Sequence, residues 1–150
     1  LVGSEMCIRD SNLSEIIYLN SEKADITSEV AIAIEEADKI VIGPSNPILS
    51  IGPILSIQNL KEKLIINKNT YVVSPFIQKK AIKGPSKKNF EDLGYKSDIT
   101  GVKDFYKDIG TFFIVQTGDS DEAENTIEEN ILFKSEKDAI NLARYIVDHE

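Results

Sequence analysis

The sequence predicts an α/β fold built on a parallel sheet with helical crossovers. Three short apolar runs have the length and residue types of buried strands, and stretches with helical spacing lie between them. These runs are residues 40–42, 70–74 and 111–116. Because strands alternate with helices, we expect the strands to lie parallel in one sheet. The first two runs break into loops rich in Pro and small residues, which places those loops at the carboxyl edge, where open α/β sheets bind ligands.

Composition limits the classes of function. A chain of 150 residues, 41% of them hydrophobic and 28% charged, is typical of one soluble domain with its own core. The net charge of −8 argues against non-specific nucleic-acid binding, which needs a basic face. No run approaches the roughly 18 apolar residues of a membrane span. One Cys and one His exclude both an intrachain disulfide, which fits a reducing cytoplasm, and a zinc site built from such ligands.

The first ten residues, LVGSEMCIRD, contain the only Met and the only Cys of the chain. They have no clear period and lack the apolar core of a signal peptide. They resemble translated adapter read-through at the ends of assembled metagenomic sequences. We therefore predict that residues 1–11 are a non-native segment and attach no function to Cys7; a natural terminus is the alternative. Under either interpretation, we expect the true N-terminus to be missing.

The elements before the second strand follow from caps and periodicity. Residues 16–19 suggest a strand at an edge or in a hairpin. Three residues are candidate caps of the next helix: Asp25, Thr27 and Ser28. The apolar face of that helix is predicted to comprise Val30, Ala33, Ile34 and Ala37. After the loop of the first strand, residues 56–64 predict a helix that turns Ile57, Leu60 and Leu64 inward.

Further helices are predicted around residues 90–93 and 102–109, ended by Gly94 and Gly110. The acidic residues 117–130 read better as a solvated loop than as a cation site at Asp119, and residues 131–133 suggest a last strand. Ser135 is a good N-cap for the final helix. The apolar stripe of that helix is predicted to comprise Ala139, Leu142, Ala143, Ile146 and Val147. His149, close to the chain end, is expected to be frayed rather than catalytic.

Two strand-end loops carry the chemistry. The first contains Gly43, Pro44, Ser45 and Asn46, with Ser50 in a second small-residue turn. Asn46 is expected either to cap its own loop or to contact a ligand, and neither serine has a visible partner base. The second loop begins at Ser74. Small residues that expose backbone N–H groups, next to ammonium charges, suggest a ligand that carries phosphate.

The second loop places five lysines within ten residues of an otherwise acidic chain. We interpret four of them as a solvated face: Lys79, Lys80, Lys87 and Lys88. Lys83 differs because Gly84 and Pro85 follow it and should hold its backbone in place. For Lys83, a ligand-binding role and a solvated position remain equally open.

Three stretches resemble one family: ADKIVIGPSNPILSIGPIL, VVSPFIQKKAIKGPSKK and LGYKSDITGVKDFYKDI. They are similar to the CofD/FbiA family, the 2-phospho-L-lactate transferases of coenzyme F(420) biosynthesis. The resemblance runs from about Ala24 to about Asp148. It implies that residues 12–150 are the C-terminal part of a longer, CofD-like transferase domain with a Rossmann-like fold.

The resemblance also implies a reaction. A 2-phospho-L-lactate or phosphoenolpyruvate group passes from a GDP-linked donor to the ribityl hydroxyl of the deazaflavin Fo, with release of GMP and help from Mg²⁺. Members of the family often form homodimers, while composition is the reason to expect a cytoplasmic protein that binds neither nucleic acid nor membrane. In this chain the donor pocket would comprise Gly43, Pro44, Ser45, Asn46 and Ser50, faced by Ser74, Lys83 and Gly84.

Parts of the family pattern are absent from this chain. The Gly-rich first turn and the N-terminal acidic residues expected to hold Mg²⁺ and the deazaflavin are missing, and residues 130–135 depart from the pattern. We therefore expect a fragment that is inactive alone. Two alternatives remain open: a YvcK-like regulatory protein that binds a sugar nucleotide without transferase activity, and a structural half-domain whose loops bind nothing. The motifs Asn46-Pro47 and Lys83-Gly84-Pro85 favour the transferase.

Overall fold

The computed structural model describes residues 15–78, 80–81 and 86–149, and it leaves the side chains of Glu22, Lys80 and Ala81 undescribed. The segment predicted to be non-native lies outside the described residues, and so do Lys79, Lys83 and Gly84. Among the described residues, no helix is long and apolar enough to cross a membrane.

Four strands form a parallel sheet in the order β1-β2-β5-β6. They are β1 (Ile40–Ile42), β2 (Thr70–Val73), β5 (Phe112–Gln116) and β6 (Thr126–Glu129). A short antiparallel pair, β3 (Phe76–Ile77) and β4 (Lys80–Ala81), follows β2. The predicted α/β fold with a parallel sheet and helical crossovers is confirmed, and the arrangement is Rossmann-like.

Helices connect the strands. They are α1 (Ser28–Glu36), α2 (Gly52–Leu55), α3 (Gln58–Ile66), α4 (Ser86–Asp92), α5 (Ile99–Tyr106) and α6 (Glu136–Asp148). A short 3₁₀ turn, Ser21–Lys23, precedes α1, and a π-helical turn, Pro47–Ile51, leads directly into α2. The Thr27 side chain caps α1, and Ser135 with Asp138 forms a capping box for α6. Gly94, predicted to end α4, has a φ of 82°, which a glycine adopts without strain.

The core lies on both faces of the sheet. Side chains alternate between the faces of a strand, so Val72 of β2 packs with α3, α4 and α5 while Tyr71 and Val73 pack on the opposite face. The opposite face is covered by α6 through Leu142 and Ile146. All four residues of β2 are buried, as expected for a strand with neighbours on both sides.

The prediction of a strand at residues 16–19 is wrong, because residues 15–18 form no regular structure and residues 19–20 form a turn. The segment is instead held by a side chain: the hydroxyl of Tyr18 donates a hydrogen bond of 2.6 Å to the carbonyl oxygen of Ile48. A short apolar run does not by itself distinguish a strand from a segment anchored by packing.

The last strand was predicted in the wrong place. It is β6, inside the acidic stretch, and residues 131–133 form no strand. Ile127 is the buried residue of β6, and it packs against the α6 side of the sheet. A strand that buries one residue gives little apolar signal, and acidic neighbours hide it further.

Two helix faces and one strand are less buried than predicted. In α1, Ile34 and Ala37 are half-buried as expected, but Val30 and Ala33 are exposed. In α6, Ala143 and Val147 are exposed. In β1, Ile42 is buried but Val41 is 50% exposed. Among the described strands β1 is an edge strand, so the sheet covers it from one side only.

Candidate functional site

The loop after β1 is organised by Asn46. Its Oδ1 accepts hydrogen bonds from the backbone N–H groups of Ile48 at 2.9 Å and Leu49 at 3.0 Å. It thereby caps the turn that begins at Pro47, where a proline costs no hydrogen bond. The predicted capping role of Asn46 is confirmed. The prediction of a second small-residue turn at Ser50 is wrong, because this segment is helical. Ser50 is exposed on its surface.

Only the oxygen of the Asn46 carboxamide forms hydrogen bonds with described residues. Its Nδ2 is buried and has no hydrogen-bond partner among the described residues. A buried donor without an acceptor costs free energy, so an acceptor from elsewhere would stabilise this loop. A ligand contact for Asn46 stays a prediction.

Two glycines of this segment differ in what they allow. An added Cβ at Gly43 would meet nothing within 4 Å, and Ser45 N donates 2.8 Å to the Gly43 carbonyl in a tight turn. An added Cβ at Gly52 would lie 2.0 Å from the Tyr18 hydroxyl. At Gly52 the missing side chain therefore makes room for the Tyr18 side chain. At Gly43 the space beside the backbone is free of other described atoms. Pro44 and Ser45 are also exposed.

The loop after β2 begins with a buried Ser74. Its N–H donates 2.8 Å to the Ile114 carbonyl, and its hydroxyl both donates to the Phe76 carbonyl and accepts from Phe76 N–H, at 3.0 and 3.1 Å. The hydroxyl therefore shapes the turn into β3. Because β1 and β2 are neighbours, the two predicted loops follow adjacent strands at one edge, and Ile48 and Phe76 share a core cluster.

A cavity of about 280 Å³ opens at the ends of β2 and β5, and we call it the β2–β5 cavity. Its described lining residues are Ser74, Phe76, Asp98, Ile99, Thr100, Val115, Gly118, Asp119 and Ser120. Of the predicted site residues within the described ranges, only Ser74 lines it. Gly43, Pro44, Ser45, Asn46 and Ser50 lie outside the lining, and Lys83 and Gly84 lie outside the described residues, so their roles stay predictions.

Most of the residues that line this cavity were not predicted from the sequence. The loop at residues 117–120 (TGDS) follows β5, an apolar strand, and is the third loop to leave a strand of the described parallel sheet. That position was the signal that could have found it. No such signal marks Asp98 in the sequence. Asp98 is the N-cap of α5, and it reaches this edge of the sheet because α5 packs against β5.

The chemistry of the cavity is acidic and hydroxylic. Asp98 Oδ1 caps α5 by accepting from Thr100 N at 3.0 Å and Gly101 N at 3.3 Å. Asp119 Oδ2 accepts from Gln78 N at 2.8 Å. None of the described lining residues is a Lys or Arg. The described lining therefore does not support a phosphate site in this cavity, and phosphate binding by the two predicted loops stays a prediction.

The lysines of the second loop can be placed in part. Lys87 and Lys88 lie on α4 and form ion pairs with Glu91 at 3.8 Å and Asp92 at 2.7 Å. Their side chains are 48% and 36% exposed, which agrees with their interpretation as part of a solvated face. The solvated position predicted for Lys79 and Lys80 stays a prediction, because the structure does not describe their side chains.

Acidic residues of the 117–130 stretch make structural contacts. Partial burial would raise the pKa of Asp121, but hydrogen bonds from Lys103 and Thr126 hold that pKa below its usual value. Glu128 Oε1 accepts from Gly118 N at 3.0 Å and Ser120 N at 3.2 Å, which fixes the rim of the cavity. Within the described ranges, no three His, Cys, Asp or Glu side chains gather to hold a metal ion.

The prediction that His149 is frayed is wrong. Its Nδ1 lies 2.8 Å from the Tyr71 hydroxyl, and its ring packs edge-on against Phe112 with centroids 4.9 Å apart. Lys39 Nζ donates to the carbonyls of Ile146 and Val147 at 2.8 and 2.7 Å, which satisfies the end of α6. These contacts order the chain end, on the face of the sheet that α6 covers.

Comparisons with known proteins agree with the motifs. The family model described as "2-phospho-L-lactate transferase CofD" matches residues 2–145. The 2-phospho-L-lactate transferase of Methanococcus vannielii is 39% identical over 145 residues, covering 93% of this chain and 46% of the relative. That of Methanocaldococcus jannaschii is 36% identical over 143 residues with the same coverage, and that of Methanopyrus kandleri is 32% identical over 136 residues, covering 87% and 44%.

This chain spans about half the length of the curated relatives that it matches. The matched range begins within residues 1–11, and the assignment of that segment as non-native stays a prediction. A family match that extends over nearly the whole chain, with relatives above 30% identity, is sufficient to place it. The chain belongs to the 2-phospho-L-lactate transferase CofD family.

Proposed function

We propose that this chain is part of a 2-phospho-L-lactate transferase. The enzyme would move a 2-phospho-L-lactate or phosphoenolpyruvate group from a GDP-linked donor to the deazaflavin Fo and release GMP. The observation that carries the proposal is the pair of loops after β1 and β2, side by side at the carboxyl edge in a chain of this family.

The proposed chemistry attacks a phosphorus atom of the donor diphosphate. Such a reaction depends on positioning and on neutralising charge more than on a protein nucleophile. The hydroxyls of Ser45 and Ser50 hydrogen-bond to no base among the described residues, which fits this requirement. A nucleophilic mechanism on either serine has no support from the geometry.

We propose that the donor lies over the open first loop. The exposed backbone of Gly43 to Ser45 lets a phosphate approach closely, and the unpaired Asn46 Nδ2 offers a donor once the loop adjusts around a ligand. Lys83 and Gly84 would face this loop from the second strand end. Lys83 would then supply positive charge beside the donor diphosphate.

Mg²⁺ belongs to the proposal through the family resemblance alone. The described residues gather no three-ligand site for it. We therefore assign its ligands to other parts of the enzyme and derive no step through the ion. The homodimer and the cytoplasmic location likewise stay predictions.

Calorimetric titration of the folded chain tests the proposed function. GDP, UDP and a UDP-sugar are compared with Mg²⁺ present, after circular dichroism has established that the chain is folded. Saturable binding with a preference for GDP supports the transferase. A preference for the UDP-sugar would support the regulatory alternative, and no binding by a folded chain would contradict a donor site in these loops.

A further inference from the structure

We infer that Asp119 is a positioning residue of the proposed donor site, because it fixes the start of the loop after β2. The inference rests on the proposed function and deepens it, since it adds the loop after β5 to the two loops already considered. Asp119 acts through the backbone of Gln78, in the turn that joins β3 to β4, and not by contact with the donor.

The backbone of Gln78 has a conformation that its side chain disfavours. Its φ is 49°, in the left-handed region that glycine adopts freely and other L residues avoid. A residue keeps such a conformation only when its surroundings hold it there. Gln78 is held by the hydrogen bond that its N–H group donates to Asp119 Oδ2, at 2.8 Å. Because the acceptor is a carboxylate, this bond is stronger than one between neutral groups.

Asp119 can hold Gln78 because its own loop is anchored to the sheet. The N–H groups of Gly118 and Ser120, on either side of Asp119, donate to Glu128 Oε1 at 3.0 and 3.2 Å. Glu128 lies on β6, opposite Val115 of β5. The position of Asp119 is therefore set by the two strands and does not depend on Gln78.

The segment from Ser74 to Gln78 is fixed at its other end by separate contacts. The Ser74 hydroxyl binds both backbone groups of Phe76, and the Phe76 ring packs against Phe90 with centroids 5.2 Å apart. Phe76 also shares a core cluster with Ile48 of the first loop. Loss of the Asp119 side chain should therefore loosen the turn at Gln78 while the core beneath Phe76 stays intact.

The charge of Asp119 and its positioning role predict opposite changes in the binding of a diphosphate. If Asp119 acted only through its charge, removing the carboxylate would lessen repulsion and strengthen binding. If it positions the loop, removing it should weaken binding, because only molecules with the loop in its binding position can take up the ligand. The sign of the change therefore distinguishes the two effects.

GDP is the probe, titrated by calorimetry with Mg²⁺ present into chains shown by circular dichroism to be folded. Asp119→Ala should weaken GDP binding about fivefold and speed the exchange of the Gln78 amide. Asp119→Asn keeps an oxygen for that amide and should lie between Asp119→Ala and the unaltered chain. Glu124→Ala is the matched control, since Glu124 is exposed in the same acidic stretch, and its GDP affinity should not fall.

Gln78→Gly provides the test of mechanism. Glycine adopts a positive φ without strain, so the turn no longer depends on Asp119. In the Gln78→Gly background, Asp119→Ala should weaken GDP binding by less than about twofold. A fivefold loss in that background as well would mean that Asp119 acts on the ligand directly, and it would overturn the positioning role.

The same titrations separate this inference from the proposed function. Absence of GDP binding by the unaltered, folded chain would overturn both. GDP binding by the unaltered chain with equal or higher affinity in Asp119→Ala would overturn the positioning role alone. An equal loss in Glu124→Ala would also overturn it, because the effect would then follow from net charge.

Discussion

The Tyr18 hydroxyl donates a 2.6 Å hydrogen bond to the carbonyl oxygen of Ile48, thirty residues further along the chain. The contact ties the segment before α1 to the helical turn that Asn46 caps. It depends on Gly52, where an added Cβ would lie 2.0 Å from that hydroxyl oxygen. Tyr18 therefore helps to fix the position of the loop that is proposed to bind the donor.

Gly52→Ala should destabilise the fold because it forces Tyr18 out of its contact. We expect a loss of about 1–3 kcal/mol in the free energy of unfolding, measured by urea denaturation. Gly43→Ala is the control, since its added Cβ meets nothing within 4 Å, and it should change stability by less than about 0.5 kcal/mol. Equal stability of the two variants would contradict the packing described at Gly52.

Asn46 variants should separate stability from binding. Asn46→Asp keeps an oxygen for the Ile48 and Leu49 amides, so its melting temperature should stay close to that of the unaltered chain. It removes the Nδ2 donor and adds negative charge, so GDP affinity should fall. Asn46→Ala should lose GDP affinity and about 0.5–2 kcal/mol of stability. If Asn46→Asp bound GDP with unaltered affinity, the carboxamide would have no role in the donor site.

Lys83→Ala should weaken GDP binding, because it removes a cation beside the diphosphate. This prediction rests on the sequence motif, since Lys83 lies outside the described residues. Lys87→Ala is the matched control, as Lys87 pairs with Glu91 on α4. Calorimetry should show weaker binding for the first variant only. Identical affinities would return Lys83 to the solvated face.

Stability should fall at high pH. Burial raises the pKa of Tyr106, and of Tyr18 less strongly, above the ordinary value of 10.0. Above pH 10 the unfolded chain releases these protons while the folded chain retains them, so stability is present below pH 10 and is lost as pH rises further. Each such tyrosine adds a slope of up to about 1.4 kcal/mol per pH unit.

The comparison with Tyr106→Phe isolates this effect from the titration of lysines. Urea denaturation of both chains between pH 8 and 11 should show a shallower loss of stability for the variant above pH 10. Parallel curves would mean that Tyr106 ionises as easily in the folded chain as in the unfolded one.

The parts that the sequence predicted share a strong local signal. Both β2 and β5 are continuous apolar runs, and Asn46 caps a turn that begins with proline, so each could be assigned from neighbouring residues. By contrast, β6 buries only Ile127 between acidic residues, and its pairing with β5 is a long-range property.

The candidate site was predicted in part for the same reason. The adjacency of the first two strand-end loops follows from the α/β alternation. The β2–β5 cavity depends on the strand order and on where α5 begins, because these bring Asp98 and Asp119 into the lining of one cavity. The spacing of Asp98 and Asp119 in the sequence does not predict that they line the same cavity, because their proximity results from packing between secondary-structure elements.

Hydrogen–deuterium exchange with and without GDP tests the central claim, that the loops after β1 and β2 form a donor site, most directly. At saturating GDP we expect slower exchange in peptides that cover residues 43–51 and 74–78, and unchanged exchange in peptides from α6. Protection confined to other regions, or no protection at a concentration where calorimetry shows saturation, would contradict the account.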